Sequence, residues 1–62
     1  MFWIEFFNEK TLCWHKLSYS PILLHSLETA KAFAEDDGDM YRVTTAHGKV
    51  IETFSTGASA NR

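Results

Sequence analysis

The sequence is poor in the residues that cross-link or stiffen small proteins. Its 62 residues contain one cysteine, Cys13, and one proline, Pro21. A single thiol excludes a disulfide within the chain, although domains of this size commonly depend on disulfides, a metal or a partner surface. A lone cysteine and the lack of an export signal lead us to expect a reducing, cytoplasmic compartment.

The chain also lacks a surplus of positive charge and any long hydrophobic run. Six Lys and Arg face eight Asp and Glu, which gives a formal net charge of −2. Nucleic-acid binders normally carry a basic surplus, because phosphate neutralisation supplies most of their affinity, so nucleic acid is not the expected partner. No segment approaches the roughly 18 apolar residues of a membrane-spanning helix, so we expect no membrane span.

Aromatic residues, by contrast, are abundant and make up 15% of the chain. Each ring can bury a large area, so the rings compensate for the small size of the core. The length permits a single domain, which we place at residues 1–55. Residues 56–62 are small and polar and are expected to form a flexible C-terminal tail.

Hydrophobic spacing predicts four strands and one helix. The strands are expected at residues 2–8, 12–17, 41–45 and 50–55, with a loop at 18–21 and extended chain at 22–24. The helix is expected to follow an N-cap at Ser26, to run for about ten residues to Asp36, and to be closed by Gly38. Its apolar stripe is formed by Leu27, Ala30, Phe33 and Ala34. The order β-β-α-β-β predicts an α+β fold, a four-stranded antiparallel sheet with the helix packed on one face.

The first strand carries large apolar side chains on both faces. Alternation separates two sets, Phe2, Ile4 and Phe6 on one side and Trp3, Glu5 and Phe7 on the other. We assign the first set to the helix side, because a charged Glu5 would be expensive inside a dry core. A turn on Glu9-Lys10 would pair Phe7 with Leu12, Glu5 with Trp14 and Trp3 with Lys16, and a loop of another length would change those partners.

One short helix covers only one face of the sheet, so the second set and its cross-strand partners have no cover. The predicted partner-binding residues are Trp3, Glu5, Phe7, Leu12, Trp14 and Lys16. Trp-rich apolar residues with a charged pair, Glu5 and Lys16, at the rim are typical of an interface hot spot. The alternative is that these rings fold over one another and that Tyr19 and residues 22–24 shield them.

Two functions fit such a surface. The first is a non-enzymatic module that occupies the surface of a protein partner, either a second copy in a homodimer or a foreign protein. The alternative is a homodimeric single-stranded nucleic-acid binder that stacks bases on the aromatic face, with Lys16, Arg42 and Lys49 as phosphate contacts.

The residues that could carry chemistry are few and scattered. Cys13 and His15 share a strand face but fall short of a zinc ligand set, so we expect no metal and no cofactor. No nucleophile is placed beside His47 by spacing and no Gly-rich phosphate loop is present, so we expect no enzymatic activity. The densest charge run, an acidic edge, consists of Glu35, Asp36, Asp37 and Asp39. It lacks the spacing of a calcium loop and is either a solvated helix end or an edge that meets a basic patch on a partner.

The order of elements resembles that of many short accessory proteins of phages and bacteria. The resemblance lies in the first hairpin, the helix sequence Ser-Leu-Glu-Thr-Ala-Lys-Ala-Phe-Ala (26–34), Gly38, Tyr41-Arg42-Val43 and His47-Gly48-Lys49-Val50, and it covers most of the chain. Some proteins of this style are inhibitors carried by viruses or mobile elements, including anti-CRISPR and other anti-defence proteins. The resemblance implies stoichiometric inhibition of a host protein, in the host cytoplasm, and it carries over no functional residue.

Overall fold

The protein forms a four-stranded antiparallel sheet with one helix packed on it. The structure, a computed structural model, describes residues 1–55, and the predicted tail at 56–62 lies outside the described residues. The elements are β1 (Phe2–Asn8), β2 (Cys13–Ser20), α1 (Leu23–Asp37), β3 (Met40–Thr45) and β4 (Val50–Ser55). The sheet order is β2-β1-β3-β4, so the predicted α+β class and β-β-α-β-β pattern are confirmed. No helix within residues 1–55 is long and apolar enough to cross a membrane.

β1 lies in the interior of the sheet, between β2 and β3. It pairs with β2 through the first hairpin and with β3 on its other side, while α1 connects β2 to β3. β2 and β4 are therefore the edge strands. Each edge strand contains an irregularity, which leaves Leu17 of β2 and Ile51 of β4 without a directly paired residue.

The core lies between α1 and the sheet side that carries Ile4. Ile4, Ala30, Ala34, Tyr41 and Val43 are buried together. The two alanines are small enough to let the helix approach the strands closely. The partly buried residues packed against this cluster are Phe2, Phe6, Leu23, Leu27 and Phe54. The assignment of the Phe2, Ile4 and Phe6 side to the helix is thereby confirmed.

The helix begins earlier than the sequence predicted. α1 starts at Leu23, with Ile22 as an N-cap that has no side-chain capping bond, and it spans 15 residues. Ser26 is not a cap: it is fully buried inside the helix, and its Oγ donates a hydrogen bond to the Ile22 carbonyl at 3.2 Å. Of the predicted extended chain at 22–24, only Ile22 is extended, with φ −108° and ψ 116°; Leu23 and Leu24 are helical. Leu23 and Leu27, one helical turn apart, both pack on the core.

The other end of the helix is as predicted. Gly38 follows Asp37 with φ 77°, in the left-handed region, and its N–H donates to the Ala34 carbonyl at 2.9 Å. A glycine adopts this conformation without the steric penalty that a Cβ would bring. Phe33 of the predicted apolar stripe stays 39% exposed at the helix margin, where its ring lies 5.6 Å from that of Tyr41.

The first hairpin turns on four residues, 9–12, and not on Glu9-Lys10 alone. The Asn8 side-chain oxygen accepts hydrogen bonds from the backbone N–H groups of Lys10 at 2.9 Å and Thr11 at 3.3 Å. Leu12 closes the turn with a φ of 59° and a bond from its N–H to the Asn8 carbonyl at 2.7 Å. Leu12 is therefore part of the turn, 73% exposed, and not on the sheet face where we expected it.

The longer turn moves the register of the hairpin. Phe7 lies opposite Trp14, and Glu5 lies opposite Lys16. Because the shift is by two residues, Trp14 and Lys16 of β2 keep their predicted face, whereas Leu12 leaves the sheet. The irregularity at Leu17 then brings Tyr19 opposite Trp3, and β2 continues to Ser20, so most of the predicted loop at 18–21 is strand.

Candidate protein-binding surface

The side of the sheet turned away from α1 carries a cluster of aromatic and charged residues, which we call the open face. Strand alternation and register assign to it Trp3, Glu5 and Phe7 of β1, Trp14, Lys16 and Tyr19 of β2, and Arg42 and Thr44 of β3. Within residues 1–55 the only helix packs on the opposite side. The predicted partner-binding residues are thus brought together on this face, with the exception of Leu12.

The aromatic rings of the open face pack against one another in pairs. The ring centroids of Trp3 and Tyr19 are 5.2 Å apart, and those of Phe7 and Trp14 are 5.3 Å apart. Trp3, Phe7 and Trp14 are half-buried in consequence, whereas Tyr19 remains 57% exposed. None of the rings is fully enclosed by the described chain, and Ile22 and Leu24 stay exposed themselves and do not cover them.

Glu5 lies at the centre of the open face and is almost fully buried, with 5% of its surface exposed. Its Oε1 accepts a hydrogen bond from Arg42 Nε at 2.7 Å. Its Oε2 accepts one from Thr44 Oγ1 at 3.1 Å and lies 3.5 Å from Lys16 Nζ. The expected position of Glu5 at the rim is therefore wrong, since three partners hold its carboxylate in the middle of the cluster.

The length of the Arg42 side chain explains this burial. Arg42 stands on β3, yet its guanidinium carbon lies 4.1 Å from the centre of the Trp14 ring on β2. These strands flank β1 on opposite sides, two strand spacings of about 4.8 Å apart. The side chain must therefore lie across β1 and above Glu5. Lys16 also approaches an aromatic ring, with its Nζ 5.6 Å from the centre of Trp3.

The electrostatics of the cluster keep Glu5 ionised. Burial by itself raises the pKa of the Glu5 carboxyl, but the hydrogen bond and charge of Arg42, the Thr44 hydroxyl and the charge of Lys16 outweigh it. The pKa of Glu5 therefore lies below its usual value of 4.5. One carboxylate then faces two cations at neutral pH, so this cluster carries a surplus of positive charge in a chain whose net charge is negative.

Sequence reasoning named Arg42 only as a phosphate contact of the nucleic-acid alternative and Tyr19 only as a shield from a loop. It missed the bonds that Arg42 and Thr44 make to Glu5. The signal for Arg42 and Thr44 was present, because their alternation with Tyr41 and Val43 places them away from the core. Their meeting with Glu5 requires the sheet order, which makes β3 the neighbour of β1. Tyr19 was expected to lie in a loop, and it reaches the open face because the irregularity at Leu17 brings it opposite Trp3.

The acidic edge lies at the end of α1 and in the connection to β3, where its four residues are exposed. One of them has a structural role, because the Tyr41 hydroxyl donates a hydrogen bond to the Asp37 carboxylate. Burial raises the pKa of Tyr41 to about 12, with further contributions from the bond and charge of Asp37 and from the charges of Asp39 and Asp36. The bond to Tyr41 places Asp37 beside the core tyrosine, whereas Asp39 lines a surface hollow together with Phe6 and Phe7 of β1.

The other residues weighed for chemistry remain apart. Cys13 is exposed, with its thiol 3.4 Å from the Thr11 carbonyl. The His15 ring stacks on Phe6 at 5.5 Å. Among residues 1–55, no three His, Cys, Asp or Glu side chains are grouped so that they could hold a metal ion. His47 lies in the turn between β3 and β4.

Comparison with known proteins adds no relative. The chain matches no protein-family model, no curated protein and no solved structure. Its function must therefore be argued from the geometry and charge of the open face.

Proposed function

We propose that this chain is a non-enzymatic module that binds a protein partner through the open face and acts by occupying the partner's surface. Together with the resemblance to short phage and bacterial accessory proteins, this makes it an inhibitor of a host protein, such as a component of a defence system, carried by a phage or mobile element. The observation that carries the proposal is a sheet face with no second layer in the described chain, which carries two half-buried Trp rings and an arginine fixed on one of them.

The composition of the open face supports this proposal. Trp, Tyr and Arg are the residue types most enriched at interface hot spots. Arg42 is fixed between the Glu5 carboxylate and the Trp14 ring, so little of its conformational freedom remains to be lost on binding. The rings are fixed in the same way by their mutual contacts.

The size of the face is also sufficient. The Cα atoms span 33 × 24 × 16 Å, and the shortest dimension corresponds to the two layers of helix and sheet. A rectangle of 33 × 24 Å bounds the broad side, which is comparable with the roughly 800 Å² that each partner contributes to a standard protein interface.

A foreign partner fits the open face better than a second copy does. A face-to-face homodimer would bring two clusters of Arg42, Lys16 and Glu5 towards each other across a two-fold axis, and each cluster carries a surplus positive charge. Like charges in such an interface are unfavourable. A homodimer remains an outcome of the test, detected as a doubled mass in light scattering.

The single-stranded nucleic-acid alternative also uses this face, and two features count against it. Lys16 and Arg42 already lie over the Trp3 and Trp14 rings, so a base would have to displace them in order to stack there. The chain also lacks the basic surplus that such binding normally requires.

The test compares partner binding by the wild type and by Trp3→Ala/Trp14→Ala. Proteins captured from a host lysate are identified, and the affinity of the purified partner is measured by calorimetry. We expect the double variant to lose at least tenfold in affinity, and Leu24→Ala, on the exposed side of α1, to bind like the wild type. Far-UV circular dichroism establishes that each variant is folded. Unchanged affinity in a folded double variant would overturn the proposal, and a filter-binding arm with a single-stranded oligonucleotide at low salt tests the alternative.

A further inference from the structure

We infer that the protein partner is acidic where it docks, and that one of its carboxylates binds the guanidinium of Arg42. The inference rests on the proposed function and adds the chemistry of the partner to it. It is carried by the distribution of charge over the two sides of the molecule and by the way in which Arg42 is held.

The two sides of the sheet differ in charge. On the open face, Arg42 and Lys16 flank a single carboxylate, that of Glu5, which is buried beneath them. The surplus acid of the described chain lies elsewhere, chiefly on α1, which packs on the other side of the sheet, and in the connection from α1 to β3. A partner that approaches the open face therefore meets positive charge first, and this orientation favours an acidic surface.

Arg42 is held in a way that suits a second carboxylate. Its hydrogen bond to Glu5 uses Nε, and its guanidinium lies on the Trp14 ring, so the plane and direction of the group are fixed. The terminal Nη groups form the fork that binds a carboxylate through two parallel hydrogen bonds. The Arg42 side chain remains 24% exposed, so the cluster does not close it off from solvent. Lys16, with 56% of its side chain exposed, offers a second cation on the same face.

Phosphate oxygens would satisfy the same fork, but the surroundings favour a protein. Two cations, one of them bonded to a buried carboxylate, offer little of the phosphate neutralisation that gives nucleic-acid binders their affinity. The exposed Tyr19 and the half-buried Trp and Phe rings provide apolar contact area around the fork instead. An acidic side chain surrounded by apolar residues is the complement of this arrangement.

Selection from a random-peptide library displayed on phage tests the inference and does not require an identified partner. Peptides are selected on the immobilised full chain, and those whose binding is lost in Trp14→Ala are retained as ligands of the open face. We expect these ligands to be enriched in Asp or Glu next to aromatic or aliphatic residues. Replacing the enriched acid by its amide should weaken binding about tenfold, as the loss of a bidentate charged pair does.

Two variants of the protein sharpen the test. Arg42→Lys keeps the charge and the ion pair with Glu5 but removes the fork, so it should weaken the acidic peptides about tenfold and the amide peptides far less. Lys49→Ala removes an exposed cation between β3 and β4 and should leave the affinity unchanged. The affinities of the acidic peptide and of its amide are measured for the wild type and for Arg42→Lys. These four values give the coupling energy between the peptide carboxylate and Arg42.

The possible results separate this inference from the proposed function. The inference would be overturned if the open-face peptides were not enriched in acidic residues, or if they bound the wild type and Arg42→Lys equally well. Either result would leave the proposed binding function unaffected. A selection that yields no Trp14-dependent peptide would count against the proposed function itself. The third possible result is that the selection yields no acidic peptides and that the protein retains a single-stranded oligonucleotide at low salt only when Arg42 is present. Arg42 would then bind the phosphates of a nucleic acid, and the inference would be refuted.

Discussion

Replacing Glu5 by Gln tests whether the ion cluster also stabilises the fold. The change keeps the size of the side chain but removes the charge that compensates Arg42 and Lys16. Breaking a fully buried ion pair from one side costs about 3–5 kcal/mol. Arg42 and Lys16 keep 24% and 56% of their side chains exposed, and the Gln oxygen still accepts a hydrogen bond, so we expect a smaller loss of about 2 kcal/mol.

This loss is large for a protein of 62 residues. Chains of that length have free energies of unfolding of roughly 3–9 kcal/mol. Urea unfolding followed by circular dichroism should show a lower midpoint for Glu5→Gln with an unchanged slope. The matched control is Glu52→Gln, which changes an exposed glutamate of β4 and should alter stability by less than about 0.5 kcal/mol.

The pH dependence gives a second and independent readout. The folded pKa of Glu5 lies below the usual 4.5, so its stabilisation is fully present above that pH. This stabilisation is lost as the pH falls below 4.5 and through the folded pKa of Glu5, because the carboxyl of the unfolded chain is protonated at a higher pH than that of the folded chain. Glu5→Gln should lack this component of the acid response. Equal stability of the variant and the wild type at neutral pH, with the same acid profile, would refute the reasoning.

Three further predictions concern the helix end and the hairpin. The pKa of Tyr41 is raised to about 12, so its contribution to stability is present below pH 10 and is lost as the pH rises from 10 towards 12. The free energy of unfolding of Tyr41→Phe should therefore not show this alkaline decrease. The same decrease in the variant and the wild type would contradict the assignment. Gly38→Ala places a Cβ at a φ of 77° and should lower the free energy of unfolding by about 1 kcal/mol, measured in urea, while no change would argue against a left-handed cap. Leu12 is exposed and has a backbone φ of 59°, which glycine adopts without strain. Leu12→Gly should therefore raise the free energy of unfolding by up to about 1 kcal/mol. The same variant should leave partner binding unchanged, since Leu12 lies off the open face, and weaker binding would show that the turn takes part.

The fold could be predicted because its signals are local. The alternation in β1 and β3, the turn before β4 and the glycine after α1 are each encoded within a few residues, and the structure confirms them. Ser26 shows the limit of such signals. A serine before an amphipathic segment is a good N-cap, but it is also small enough to be buried inside a helix, and packing of Leu23 on the core decided between the two.

The centre of the open face could not be predicted in the same way. The hairpin register depends on a four-residue turn closed by Leu12 in a left-handed conformation, for which a leucine gives no sequence signal. The contact of Arg42 with Glu5 joins residues 37 positions apart, and it appears only once β3 is known to lie beside β1. The sequence therefore indicated most of the β1 and β2 residues of the open face. The structure removed Leu12, added Tyr19 and Thr44, and showed that Glu5 is the buried residue.

The extra residues in the two outer strands have a consequence for how copies of this chain meet. An outer strand with a continuous row of free amide and carbonyl groups invites another chain to extend the sheet, and this is a common route to aggregates. Leu17 and Ile51 interrupt that row on either flank and locally increase the strand twist. Sideways growth of the sheet by added copies of the chain is therefore discouraged at both of its edges.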